Sequence, residues 1–325
     1  MRTIHTLLTA TALTAAGSLA VSAETWDLPL AYPATNFHSV NAANFGECVA
    51  AATDGGINIV THPNGSLFAG NDIKRAVQTG QAPIGERLIS AHQNENPLFG
   101  IDSIPFLATS FEDHERLWEA AGPAMVELLE SQNLVYLYSV AWPPQGLYFA
   151  QEINSVADME GIRFRSYNTA TARMAELTGM RPVQIEAAEL SQALATGVAS
   201  SFVSSGATGY DSQVWESLTH FYEVDTWLPR NIIFVNKQAW DGLDEATQSA
   251  MRDCAAEAKA AGLQKSIDYT NFTLDGLREN GMIVQRASDE LMAGLEEVGA
   301  TMTQEWLETA GETGQAVIDA FHASN

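Results

Sequence analysis

Two of the few cations in this chain stand where they can do chemistry. Arg163 and Arg165 alternate with Ile162 and Phe164 in the segment GIRFR, residues 161–165. In an extended strand that spacing puts both guanidinium groups on one face and the two apolar side chains on the other. A guanidinium held among apolar neighbours needs a partner. Its planar fork matches a carboxylate through two parallel hydrogen bonds, which fixes both the charge and the orientation of what it holds. Two kinds of carboxylate meet that need: one on a bound organic acid, or one of the chain's own 40 acidic side chains.

Signatures of bond-making chemistry are scarce. Asn64-Gly65-Ser66-Leu67-Phe68 lacks the second glycine of a nucleophile elbow, and the sequence has no GxGxxG, P-loop or HExxH pattern. His38, His62, His92, His114, His220 and His322 fall in separate segments without the i, i+4 spacing of a zinc helix. Facing carboxylates of a glycosidase type can be drawn anywhere among 40 acidic residues and therefore say nothing. The expectation is a binding protein, with no catalytic residue, metal or cofactor. Cys48 and Cys254 lie far apart in helical patterns. They are either a disulfide or two small buried hydrophobes, and the sequence leaves that open.

The elements that must carry these residues alternate. Strand-like segments at 24–32, 57–62, 134–141, 161–165, 199–204 and 231–236 are interleaved with amphipathic helical patterns at 39–53, 71–79, 111–132, 169–177 and 189–196. From residue 244 to the end the pattern is almost continuously helical, with breaks expected near Gly281 and Gly294. This order predicts an α/β fold with a largely parallel sheet. At 325 residues it has room for about two domains. Pro143-Pro144 marks where the chain leaves the first lobe, and a cleft between two lobes is the usual place for a small ligand.

Composition narrows the partners. With 16 basic against 40 acidic residues the net charge is −24, so phosphate backbones are repelled and nucleic acid is excluded as a partner. Residues 1–23 join Arg2 to an uncharged run ending Val21-Ser22-Ala23, the form of a cleaved secretory signal, and no later stretch is long and apolar enough to span a membrane. The expected product is exported, periplasmic and not membrane-inserted.

The run from Ile153 to Ser204 resembles the substrate-binding proteins of tripartite ATP-independent periplasmic (TRAP) transporters. The resemblance rests on Ala157-Asp158-Met159-Glu160-Gly161-Ile162-Arg163-Phe164-Arg165, on Gly179-Met180-Arg181-Pro182, and on the helix from Glu189 to Gly197. Weaker agreement extends through residues 64–67, 76–80 and 102–107 upstream and 234–240 downstream. It implies a two-lobed periplasmic binding protein fold with a helical C-terminal region, which closes on an organic acid and passes it to sodium-driven TRAP permease subunits. Lobe I is expected to comprise 24–142 plus 231–270, and lobe II 143–230 plus 271–325. By the resemblance Arg165 is the carboxylate anchor, and Arg163 faces a structural partner. Gln145 stands where relatives often carry a second arginine, which argues for a monocarboxylate over a dicarboxylate. Ser204, in the segment that departs from the family pattern, and Ala187-Ala188 make one wall small and hydroxyl-lined. Glu86 falls where some relatives contact the ligand; its other readings are a pair with Arg87 or a solvated charge. Phe37, Trp142, Tyr167 and Trp227 flank the expected cleft and can enclose an aromatic or bulky ligand body, or serve as core and hinge packing; Tyr148 is read as core. Two other readings stay in play: a secreted α/β enzyme acting on a small organic acid, and a sensing subunit that docks on a signalling partner.

Overall fold

Local signals set most element boundaries in the computed structural model, which describes residues 23–324. Strand β1 (Glu24–Pro29) buries Trp26 and Leu28 while Thr25 and Asp27 stay exposed. Helix α1 (Phe37–Ala52) starts at Asn36, whose side chain accepts from the His38 amide, and leads to β2 (Ile57–His62). There follow α2 (Ile73–Gln78), β3 (Ile84–Leu88), α3 (Phe111–Ser131) with its Ser110 cap, and β4 (Leu134–Ala141). The chain crosses at 142–144 into β5 (Gln145–Phe149), β6 (Arg163–Ser166), α4 (Thr169–Leu177), β7 (Arg181–Gln184), α5 (Leu190–Ala195), β8 (Ser201–Ser205), α6 (Gly206–Asp211) and β9 (His220–Glu223). It returns through 224–229 to β10 (Arg230–Asn236) and α7 (Lys237–Asp241). The long helix α8 (Glu245–Glu279), β11 (Ile283–Arg286) and α9 (Asp289–Ala323) complete it.

One lobe carries the pair β1-β2 and the sheet β3-β10-β4; the other carries the sheet β11-β9-β5-β8-β6-β7. The expected parallel sheet is corrected here: four pairings are parallel and four antiparallel. Every antiparallel pairing involves β5 or β10. These are the two strands that directly follow a crossing between lobes. They enter a sheet without a helical crossover, which is what otherwise forces neighbouring strands to run the same way.

Helix α8 packs on α1 and β4 and, further along, on α6 and β11, so residue 270 falls inside a continuous helix that touches both sheets' surroundings. Helix α9 packs on α3 and on α4. Cys48 and Cys254 form a disulfide between α1 and α8, with their Cα atoms 5.8 Å apart. The break at Gly281 is present, but the expected break near Gly294 is not. Gly294 lies within α9, where an added Cβ would come to 2.7 Å from Val156 Cγ2, so the glycine serves close packing. The chain kinks instead at Gly311, whose φ of 58° and ψ of −144° suit glycine alone. The expected signal, 1–23, lies outside the described residues except for Ala23. Among the described residues no helix is long and apolar enough to cross a membrane.

Candidate functional site

Strand β6 is four residues long, yet it places the site's central charge. Phe164 points into the core, fully buried, and Arg165 points the other way. Arg165 is 3% exposed, and its Nε donates to the Ile185 carbonyl at 3.0 Å. Its guanidinium carbon sits 5.1 Å from the Tyr167 ring centroid. Among the described residues no carboxylate lies within 4.0 Å of Arg165, so of the two partners left open by the sequence the internal ion pair is not made. Burial pushes its pKa down to about 10, against the opposing pull of Tyr167, Tyr32 and Glu186. The group is a desolvated cation with its terminal nitrogens uncommitted. Arg163, two residues earlier, is exposed and has no ion pair among the described residues.

Arg165 lines a cleft whose non-atom space is about 430 Å³ when the open solvent at its mouth is included. From the six-stranded side come Arg165, Tyr167, Glu186, Ala187, Ser204 and Thr208; Tyr32, Arg87, Leu88, Trp142 and Pro229 face them, with Gln145 at the crossing. The small, hydroxyl-bearing wall expected around Ala187 and Ser204 is present, extended by Thr208. Burial raises the Tyr32 hydroxyl to about 12 and the Tyr167 hydroxyl above its ordinary range, so both rings enter the site as neutral phenols.

Of the residues singled out by sequence, Arg165, Trp142, Gln145, Tyr167 and Ser204 line this cleft, and Phe37, Trp227 and Glu86 do not. Trp227 and Phe37 stand behind it. The Trp227 indole donates to the Tyr167 hydroxyl at 3.0 Å, which donates to Gln145 Oε1 at 3.4 Å. Phe37 meets Trp142 edge-on at 5.2 Å between centroids. Strand alternation in β3 sends Arg87 to the cleft and Glu86 away from it. Glu86 is neither solvated nor paired with Arg87, as the sequence had allowed. It is 4% exposed and accepts from Asn231 Nδ2. The Asn231 carbonyl oxygen in turn accepts from the Trp142 indole at 2.8 Å. Burial raises the Glu86 carboxyl to about 7, opposed by the Asn231 bond, and lowers the neighbouring His38, 3.7 Å away. Glu86 thus buttresses the cleft wall through Asn231 and Trp142. Tyr148 is core, stacked on Phe202 at 4.3 Å.

Sequence reasoning missed Tyr32, Arg87, Glu186 and Thr208. Arg87 corrects the count of cations that Gln145 suggested, because a second guanidinium reaches the cleft from β3 rather than from the crossing. The available signal was a cation in IGERL, a strand buried along its whole length. Arg87 Nη2 donates to Asn71 Oδ1 at 2.6 Å and lies 3.4 Å from Glu186 Oε2. The arrangement can grip an anionic group and orient a compact body between rings and hydroxyls. Among the described residues no three His, Cys, Asp or Glu side chains converge to hold a metal ion.

Comparison with known proteins places this geometry. Residues 31–309 match the bacterial extracellular solute-binding proteins of family 7. A marine metagenome TRAP solute binding protein, specific for pyroglutamate and solved with the co-purified acid, is 52% identical, with a TM-score of 0.92 over 93% of this chain and 99% of its own. DctP6 of Bordetella pertussis, an extracytoplasmic solute receptor binding pyroglutamic acid, is 44% identical, with a TM-score of 0.91 over 92% of this chain and 100% of its own. The monocarboxylate 2-oxoacid-binding periplasmic protein of Nostoc is 22% identical over 86% of this chain and 78% of its own length.

Proposed function

Because this chain belongs to the bacterial extracellular solute-binding proteins of family 7 and is a TRAP-type receptor for organic acids, not an enzyme, we propose that its cleft takes a compact monocarboxylate, pyroglutamate first among candidates. The observation that carries the reading is the buried Arg165, which has no protein carboxylate among the described residues and two terminal nitrogens free to fork onto a ligand's. Tyr32, Trp142 and Tyr167 supply flat apolar faces for the ligand body, and Gln145, Ser204 and Thr208 supply polar groups that orient it. Relatives 52% and 44% identical that bind pyroglutamate support this choice of first candidate.

In this reading residues 24–142 close on 143–230 about the crossings at 142–144 and 224–229. A ligand favours closure only through contacts that differ between the open and closed forms. The protein acts in the periplasm after removal of residues 1–23 and hands its ligand to TRAP permease subunits. Calorimetric titration of ligand-stripped protein with pyroglutamate, 2-oxoacids and dicarboxylates tests the proposal. Saturable 1:1 binding of pyroglutamate is expected, and no binding of any monocarboxylate would sink it.

A further inference from the structure

Glu186 is an odd lining residue for an anion receptor. Its carboxylate faces the same cleft as the two guanidinium groups, and it acts electrostatically on Arg165. It reaches Arg87 from the opposite lobe: Arg87 sits on β3, and Glu186 follows β7 as the cap of the short turn 187–189. The pair is built in. Asn71 holds the Arg87 fork at 2.6 Å, and the chain at Gly70 runs beside both partners. An added Cβ there would lie 2.7 Å from Glu186 Oε2 and 2.9 Å from Arg87 Nη1, so a larger residue would have to displace the ends of these two side chains.

This pairing decides the charge that the cleft offers. Arg165 contributes one positive charge, Arg87 a second, and Glu186 cancels one of them, leaving a net of one. We infer that Glu186 is the specificity-determining residue of the cleft, neutralising Arg87 so that a monoanion is accepted and a second carboxylate is turned away. The inference rests on the reading of the cleft as a carboxylate receptor and names what sets the ligand's charge. Physically it is exclusion by an unfavourable group: a dicarboxylate would bring its second charge against Glu186 in a partly buried cleft, where like charges cost more than in bulk water.

The test uses pyroglutamate as the monocarboxylate probe and glutarate, of the same carbon count, as the dicarboxylate probe, titrated calorimetrically into ligand-stripped full-length protein. The quantity read is the ratio of the two dissociation constants. Glu186→Gln keeps an acceptor for the turn it caps and frees Arg87, and is expected to shift the ratio toward glutarate by about tenfold or more. Arg87→Gln leaves Glu186 uncompensated and should shift it the other way. The double variant restores the net charge of one and should return the ratio to the parent value. A pair that merely latched the lobes would change both affinities together and leave the ratio fixed in all three variants, which overturns the inference while the receptor reading stands. Parent protein that binds glutarate as tightly as pyroglutamate also overturns it. Parent protein that binds neither overturns both.

Discussion

Arg165→Met should weaken ligand binding and stabilise the ligand-free fold at the same time. Burial lowers the Arg165 pKa from 12.5 to about 10. By linkage, holding the guanidinium charged at any pH well below 10 costs the folded state about 3 kcal/mol. Methionine fills much of the same volume without the charge. It forfeits the Nε bond to the Ile185 carbonyl, worth about 1 kcal/mol. The ligand-free variant should therefore gain about 2 kcal/mol, the difference of those two figures. A bound carboxylate is what offsets the cost in the parent, so the variant should lose about 2 to 5 kcal/mol of binding, roughly thirtyfold to several thousandfold in Kd. Urea unfolding of ligand-stripped protein gives the first quantity, and calorimetry with pyroglutamate gives the second. A ligand-free variant less stable than the parent, or one that still binds as tightly, would refute the picture of Arg165 as a desolvated cation held for an anion.

Replacing Cys48 and Cys254 together by Ala opens a loop with a sequence separation of 206, and in the chain-entropy account should cost up to about 5 kcal/mol, read as a lower urea midpoint. Glu86 and Asp102 are carboxyls that burial raises to about 7 and about 6, so the folded state holds their protons more tightly than the unfolded one. Their contribution to stability is complete below the unfolded carboxylate range and is lost as pH rises through those values. Glu86→Gln should remove its share of that decline, about 3 kcal/mol, and be more stable than the parent at pH 8 but not at pH 4; parallel unfolding curves for the two proteins across this range would contradict it. Gly70→Ala should drive Glu186 and Arg87 apart and weaken pyroglutamate binding, with little effect from Ala at the open Gly55 turn beyond its local φ strain.

Much of the site was legible because it rests on local rules. Strand alternation separates Phe164 from Arg165, and Asn168 caps α4 immediately after β6, accepting from the Thr171 amide at 2.8 Å. Fully buried strands divided: β8 and β10 are buried throughout and still read as strands, whereas the Glu86-Arg87 pair interrupts the apolar run of β3. Strands β3 and β5, IGERL and QGLYF, are buried at every residue, so neither shows the period-two pattern that marks a half-exposed strand, and Arg87 went unread with the first of them. Phe37 and Trp227 show the converse error. Trp227 beside a strand end and Phe37 at the start of α1 both come close to the cleft, but each spends its ring on a neighbour, Tyr167 and Trp142 respectively, one layer behind it.

By itself the sequence determined an α/β chain, an acidic surface that excludes nucleic acid, and an arginine stranded among apolar residues that had to find a carboxylate. These follow from composition and from periodicities of a few residues. Only the tertiary structure decided which carboxylates were near. Glu186 lies 99 positions from Arg87 and meets it from the other lobe. Cys48 reaches Cys254 because α1 packs on α8. Glu86, beside Arg87 in sequence, is turned away from it by the pleat and bonded to Asn231, 145 positions on. Long-range pairings of charge depend on how sheets and helices cross, and no local pattern encodes that.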